Sequence, residues 1–543
     1  MRRAAMLLAV ALLAGTLSGC SGGQKTAGTG TSAAAQTQTA QTEAAGKGEG
    51  DKTEPAGSKP AENIKELEVL KIGVADLPKH MDPMRDVGNV GIRIHYNIFE
   101  TLILADQKNG YEQKPMLAQE WKRVDDYTVE FKLRQGVKFH NGDEMKAEDI
   151  KYSFDRLKKD IQGIELASSL MLTIKDVEVV DDYTVRLITD SVDPILEDRV
   201  ASSWGSWILP KGYLEEVGDE GFASKPVGTG PYKVVSYSPE KVVLERFEDY
   251  WGEKPAAKKI EYIVYPETSA RITALITGEV DIITQLPPDQ IQVVESQKGL
   301  RVISTNIVNM HALRYNTTFG PLKDKRVRQA LSLAIDRQLL ADTLWAGKAV
   351  VPRGHQYPEF GDMYFADYPL EEYNLEKAKE LIAQSDYNGE VINYELRNGY
   401  YTFGNEAAEA IVDMWKEIGV NAQVKFVEKT SNTEISNWSN SMRFPDPLGG
   451  LWLLWGEGSS PSVEHWTDMP QEFIDTGRQL SSTTDEAKRK ELARKLMDIW
   501  KEEAPGALLY YPFESWGVRD GLEWEPYSSQ TMDFRAHNLK VTE

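Results

Sequence analysis

The seven histidines, His80, His95, His140, His311, His355, His465 and His537, are the first residues to weigh, because imidazole serves metal binding and proton transfer near neutral pH. They are scattered, with no His-Glu-x-x-His and no close pair, so the sequence predicts no metal centre. A nucleophile elbow of the form Gly-x-Ser-x-Gly is absent, and so is a phosphate-binding P-loop. Gly228-Thr229-Gly230 leads into the apolar run Tyr232 to Val235, which is a turn before a strand. A dinucleotide fingerprint needs the reverse order, a strand that passes through glycines into a helix. Asp and Glu number 84 of 543 residues, so paired carboxylates occur everywhere and no spacing singles out a glycosidase-like acid and nucleophile. Nothing here makes or breaks a covalent bond. The expected chemistry is reversible binding, without catalysis, cofactor or metal.

The single cysteine, Cys20, excludes a disulfide framework and a thiolate metal cluster by count. It stands after Arg2 and Arg3, the apolar run Ala4 to Ala14, and Leu17-Ser18-Gly19. That order is a signal peptide, too short for a stable membrane span, and Leu-Ser-Gly-Cys resembles a bacterial lipobox, whose cysteine takes a diacylglyceryl group. From Ser21 to about Ala61 there is no aromatic and no large aliphatic residue, so this stretch cannot bury enough apolar area to offset its ordering entropy. The expectation is a leader over 1–20, a tether over 21–64, and a protein held by lipid on the extracytoplasmic face of a bacterial membrane, on the periplasmic side if the cell has an outer membrane.

Residues that bind must be positioned by folded elements, and the rest of the chain supplies them. Hydrophobic residues make up 41% and charged residues 27%, an ordinary globular balance. The net charge of −22 argues against nucleic acid as a partner, since phosphate contacts need clustered cations. Leu67 to Val74 reads as a buried strand. Tyr127, Val129, Phe131 and Leu133 alternate with polar residues as in a half-buried one. Val124-Asp125-Asp126-Tyr127-Thr128-Val129 recurs as Val180-Asp181-Asp182-Tyr183-Thr184-Val185, a shared hairpin turn. Helical spacing predicts helices over 327–345 with Asp324 as N-cap, over 405–419 closed by Gly419, and through Leu492, Leu496, Ile499 and Trp500, stopping before Pro505. This mixture predicts α/β lobes joined at a cleft.

The run Met116-Leu117-Ala118-Gln119-Glu120-Trp121, then Arg134 to Gly142 and Ala147 to Ser153, resembles the signature of the family 5 extracellular solute-binding proteins. These are oligopeptide, dipeptide and nickel receptors of ABC importers. Pro226 to Tyr232, Tyr250-Trp251-Gly252, Arg271 to Asp281, Tyr315-Asn316-Thr317 and Val327 to Arg337 extend the similarity over nearly the whole folded part. It implies a periplasmic-binding-protein-like type II α/β fold, two lobes around a ligand cleft with a subdomain inserted in the first. The first lobe would comprise 65–105, 209–308 and 505–543, the insert 106–208 and the second lobe 309–504, with hinge crossings near Val308 and Pro505. Where the family usually places a threonine N-cap before Ala-Glu-Asp, this chain has Lys146.

The resemblance also implies where ligand would bind: Val87, Gly88 and Asn89 after Met81-Asp82-Pro83; Asn309, Met310 and His311 at the lobe boundary; and the segment from Trp438 to Trp455. In similar peptide receptors an aspartate three residues before an Asp-Pro pairs with the ligand's ammonium. Here that position is Arg443, ahead of Asp446-Pro447, so the local charge is reversed and would favour a carboxylate or phosphate. Alternatively, Arg443 forms an internal salt bridge with Asp446. Trp438, Trp452, Trp455 and Trp466 either wall a site for a flat ligand or fill the second lobe's core. The expected protein is a monomeric receptor. Its solute would be a peptide, an oligosaccharide or an anionic compound, delivered to ABC permease subunits, with a sugar-acid receptor as the alternative and a lipoprotein enzyme as the less favoured one.

Overall fold

Leu70–Val74 carries almost no side chain that tolerates water, and the computed structural model, which describes residues 65–542, buries it at the centre of a seven-stranded sheet. Cys20, the leader and the tether lie outside the described residues. Across this first sheet the strands run 300–306, 513–519, 282–283, 70–74, 259–264, 241–246 and 232–237. The central strand pairs in parallel with both of its neighbours, as a strand apolar on both faces should. The second sheet orders 422–426, 392–396, 435–441, 309–315 and 506–510.

Two passages connect these sheets. The chain leaves strand 300–306 and enters Asn309–Tyr315 through Ile307-Val308. The return lies later than predicted. Gly506–Tyr510 pairs with Asn309–Tyr315 in the second sheet, and Tyr315 N–H donates to Pro505 O at 2.9 Å, so Pro505 is internal to the second lobe. The crossing falls at Tyr511-Pro512, beside the first one: Ile307 N–H donates to Pro512 O at 3.3 Å.

The two Asp-Asp-Tyr repeats build the inserted sheet, ordered 118–125, 128–133, 184–189, 174–181. In each hairpin an aspartate caps the turn: Tyr127 N–H donates to Asp125 Oδ1 and Tyr183 N–H to Asp181 Oδ1, both at 2.8 Å. Val129, Phe131 and Leu133 are buried, but Tyr127 belongs to the turn and is exposed. The helix Ala147–Arg156 starts without a side-chain cap from Lys146; instead Asp149 reaches back to the Lys146 N–H at 2.8 Å, one half of a capping box.

The helix predicted over 327–345 is two helices, Lys325–Leu333 and Arg337–Leu344. Asp324 caps the first through Arg326 N–H at 2.9 Å, and Asp336 caps the second through Leu339 N–H at 2.9 Å. Between them, buried Arg337 donates to Ser332 O, Ile335 O and Leu508 O, which ties the break to the second sheet. Gly404–Glu417 gives way to Gly419 at φ +83°, and Glu486–Glu503 stops at Ala504 before Pro505, both as expected.

Candidate functional site

The lobes meet where the loop after strand 435–441 touches the insert. Met442 N–H donates to Val308 O at 2.9 Å, fixing the loop to the first crossing. The loop then folds on itself: Arg443 N–H donates to Gly449 O at 3.2 Å, and Asp446 Oδ1 accepts Leu448 N–H at 2.9 Å. A Cβ at residue 449 would lie 2.4 Å from the Phe444 ring, so only glycine permits this fold.

Asp446 does not pair with Arg443. Its Oδ2 accepts from Arg489 Nη2 at 2.6 Å, both side chains are buried, and Arg489 also donates to Leu480 O and Thr483 O. Arg443 is left without a carboxylate in ion-pair reach among the described residues. Its guanidinium lies 3.9 Å from the centroid of Trp204, an insert residue, and its carbonyl accepts Ser202 Oγ at 2.6 Å. A second cation–π contact, Arg199 over Phe444 at 5.1 Å, crosses the same seam. Nε and Nη1 of Arg443 are sealed from water and have no hydrogen-bond partner among the described residues. Burial lowers its pKa to about 10, against a smaller opposite pull from Tyr357, so the group stays cationic at neutral pH.

Arg443 borders a void of about 40 Å³ between the lobes, whose wall also includes Trp204, Phe99, Phe444, Glu100 and Asp198. Glu100 is spent on structure: it accepts Thr229 Oγ1 at 2.9 Å, Tyr250 Oη at 2.8 Å and Trp251 Nε1 at 2.7 Å, with Arg535 at 3.5 Å. This hub accounts for Tyr250-Trp251 and Thr229 in the sequence. The flanking glycines approach another segment closely, since a Cβ at Gly228 would meet Ile98 O at 2.2 Å. His140 clamps the same turn, accepting Gly228 N–H on Nδ1 at 3.2 Å with Nε2 2.9 Å from Gly230 O, and burial lowers its pKa to about 4. Gly228-Thr229-Gly230 is therefore a backbone turn, as read from the sequence. Asp198 Oδ1 accepts Gln113 Nε2 at 2.7 Å; burial raises its carboxyl to about 6, reinforced by Asp446 and Glu197.

A second hollow, of about 290 Å³, lies in the second lobe beyond the end of strand 392–396. Trp438 forms one wall, with the Arg314 guanidinium 4.5 Å from its centroid. Arg314 is oriented by Ser436 Oγ at 3.0 Å and Thr430 O at 3.2 Å, and its nearest carboxylate, Glu464, stands 3.9 Å away. Arg397 stacks on Tyr400 at 3.9 Å, and Tyr400 meets Tyr401 edge-on at 4.7 Å. Their loop is held by the next helix: Asn405 donates to Asn398 Oδ1 at 2.7 Å and accepts Gly399 N–H at 3.3 Å.

The other predicted residues divide. Asn309 is buried and accepts Ser439 Oγ at 2.8 Å, and Met310 is buried in the core. His311 packs between Tyr401 and Tyr510, and burial lowers its pKa to about 4. Val87, Gly88 and Asn89 sit at the start of helix Asn89–His95 and line neither the void nor the hollow. Their loop is anchored by the buried pair Asp82–Arg156. Trp455 is fully buried, donating to Asn440 Oδ1 at 3.0 Å; Trp452 packs on Phe473, and Trp466 does the same. Of the four tryptophans, Trp438 alone lines either of the two cavities described above. Sequence reasoning missed Trp204, Asp198, Arg314, Arg397, Tyr400 and Tyr401; the adjacent tyrosines beside Gly399 were the one readable sign.

Two sheets joined by paired crossings, with a third sheet inserted in the first lobe, define the type II periplasmic-binding-protein fold. The binding protein DppA from Helicobacter pylori, in complex with the peptide STSA, superposes with TM-score 0.77 at 23% identity, covering 88% of this chain and 98% of that one. AgaA from A. tumefacien R10, in complex with agropinic acid, also gives 0.77 at 23% identity, covering 88% and 99%. Residues 112–462 match the family described as bacterial extracellular solute-binding proteins, family 5 Middle, and the chain belongs to this family, which serves ABC importers. The dipeptide-binding protein of Escherichia coli (strain K12) is 26% identical over 433 residues, 73% of this chain and 80% of that protein. Such relatives are binding proteins rather than enzymes. Among the described residues no helix is long and apolar enough to cross a membrane.

Proposed function

We propose that this protein is a lipid-anchored receptor that captures an extracytoplasmic solute between its lobes and hands it to an ABC permease, and that the solute carries an anionic group seated on Arg443. One observation carries the ligand reading: a half-buried guanidinium, two of whose nitrogens are sealed from water and unpartnered, at the contact between lobes. A buried charge without a partner is costly, and a ligand oxyanion supplies the partner that the chain withholds. The void of about 40 Å³ suits a carboxylate better than a bulky side chain. The body of the ligand then lies outside it. Closure becomes ligand-dependent because residues of both lobes surround the anion. A sugar acid meets the same requirement, with Trp438 and Tyr400 as flat faces.

The test is thermal melting against acidic sugars, oligosaccharides, peptides with free N-termini and N-succinylated peptides. A ligand at a hundred times its Kd adds about 2.7 kcal/mol, a visible shift. The expected result is a shift with acidic ligands that disappears in Arg443→Gln. An equal shift with free N-terminal peptides, unchanged in that variant, overturns the reading. Membrane retention, lost in Cys20→Ser, checks the anchor.

A further inference from the structure

The contact between the second lobe and the insert is small, dry and built from both sides. It joins residues 199–204 of the insert to the turn at 443–444. Ser202 Oγ donates to Arg443 O at 2.6 Å, the Arg443 guanidinium lies 3.9 Å from the centroid of Trp204, and Arg199 stands 5.1 Å over the Phe444 ring. Ser202, Trp204, Arg199 and Phe444 are each more than nine-tenths buried.

Neither side of this seam is loose. In the insert, Arg199 donates to Asp193 Oδ2 at 2.7 Å and to Leu170 O at 2.8 Å, Ser206 Oγ donates to Ser202 O, and a Cβ at Gly205 would stand 3.1 Å from Ala167. Ile208 N–H donates to Glu100 O at 3.0 Å, which ties the same segment to the first lobe. On the other side, the turn is held by the Asp446–Arg489 pair and by its own closure onto Gly449. Two fixed surfaces therefore meet, and the angle between the lobes sets their separation.

The seam also lies beside the axis of rotation. Met442, next to Arg443, donates to Val308 O in the first crossing, and the second crossing runs alongside. A contact at short radius travels little, but a hydrogen bond of 2.6 Å is lost once its atoms part by about 1 Å. Rotation about the crossings breaks it early and exposes the Trp204 and Phe444 rings to water.

We infer that the insert is the latch of this two-lobed receptor: segment 199–204 holds the closed angle through the 443–444 turn, with Ser202 and Arg199 as positioning residues. Ser202 grips a backbone carbonyl, so its part of the latch is independent of the side chain at 443 and of the solute. The inference rests on the lobe rotation in the function proposed above and not on an anion at Arg443. Apparent affinity scales with the fraction of molecules in the binding-competent state, so the latch strengthens the hold on any ligand that needs closure.

Pulsed electron paramagnetic resonance tests this without a ligand. Cys20 is the only cysteine, so Cys20→Ser clears the chain of thiols; Lys175→Cys in the insert and Lys425→Cys on the edge strand of the second sheet then carry two exposed spin labels. The readout is the ratio of molecules at the label distance of this structure to molecules at any other distance. Ser202→Ala should lower that ratio about two- to tenfold, the range of one lost hydrogen bond, and Ser202→Thr, which keeps the hydroxyl, should retain it. Phe444→Leu weakens the seam from the second lobe, should lower the ratio in the same direction, and carries the test if Ser202→Ala does not fold. The same ratio in the native protein and in both weakened variants refutes the latch, and leaves the Arg443 reading to the melting experiment.

Discussion

Glu100 and Arg443 border the same small void, and the protein treats them oppositely. Glu100 is surrounded by Thr229, Tyr250, Trp251 and Arg535, whereas Arg443 has an aromatic face and two bare nitrogens. The first arrangement is what buried charge needs in order to hold a fold together; the second lacks those partners, and the proposed ligand anion would supply them. Asp446 sharpens the contrast, because it lies three residues from Arg443 and is fully engaged by Arg489. A satisfied charge and an unsatisfied one in the same loop separate architecture from recognition.

The largest effect expected from this contrast is on stability. Asp446→Ala strands the buried Arg489 and should cost about 3–5 kcal/mol in chemical denaturation. Arg443→Met, by comparison, should change stability by less than about 1 kcal/mol, since no ion pair or side-chain hydrogen bond is lost and only the contact with Trp204 changes. A similar cost for both variants would erase the distinction. Next comes affinity: Arg443→Gln should weaken binding of an acidic ligand by about tenfold to a hundredfold, the range of a charge-assisted hydrogen bond. Trp204→Ala removes the cation–π contact across the seam and should weaken the same ligand by about two- to thirtyfold.

The smallest effect is on pH. Burial holds the Asp198 carboxyl at about 6, above its unfolded value of 3.8, so the folded state takes up a proton over that interval. Its destabilising contribution therefore grows as pH rises from about 4 to about 6. Below about 6 the carboxyl is neutral and no longer opposes an anion in the void. Affinity for an acidic ligand should rise a few-fold between pH 7.5 and 5.5, and Asp198→Asn should flatten the profile at the higher affinity.

How much of this could be read from the sequence depends on distance along the chain. Local patterns served well: the Asp-Asp-Tyr hairpins, the Asp324 cap and the Gly419 stop depend on residues within one turn. The single helix expected over 327–345 failed because Asp336 is itself a cap, a signal hidden inside a continuous apolar pattern. The return crossing was placed too early because Gly506–Tyr510 is apolar enough for either sheet. Within the candidate site, a basic residue at position 443 was legible, but its surroundings were not. Trp204, Glu100 and Arg535 reach the void from distant segments, and no local pattern ties Asp446 to Arg489 rather than to its neighbour Arg443. Aromatic content alone could not separate Trp438, which faces a hollow, from Trp455, which fills the core behind it.

The central claim is that the charge at position 443 selects the ligand. Its most direct test is the ratio of affinities for N-succinyl-Ala-Ala-Ala and Ala-Ala-Ala, measured in the native protein and in Arg443→Asp. The native protein should prefer the succinylated compound, and the variant should reverse that preference toward the free ammonium. An unchanged ratio would contradict the account and make Arg443 a structural residue.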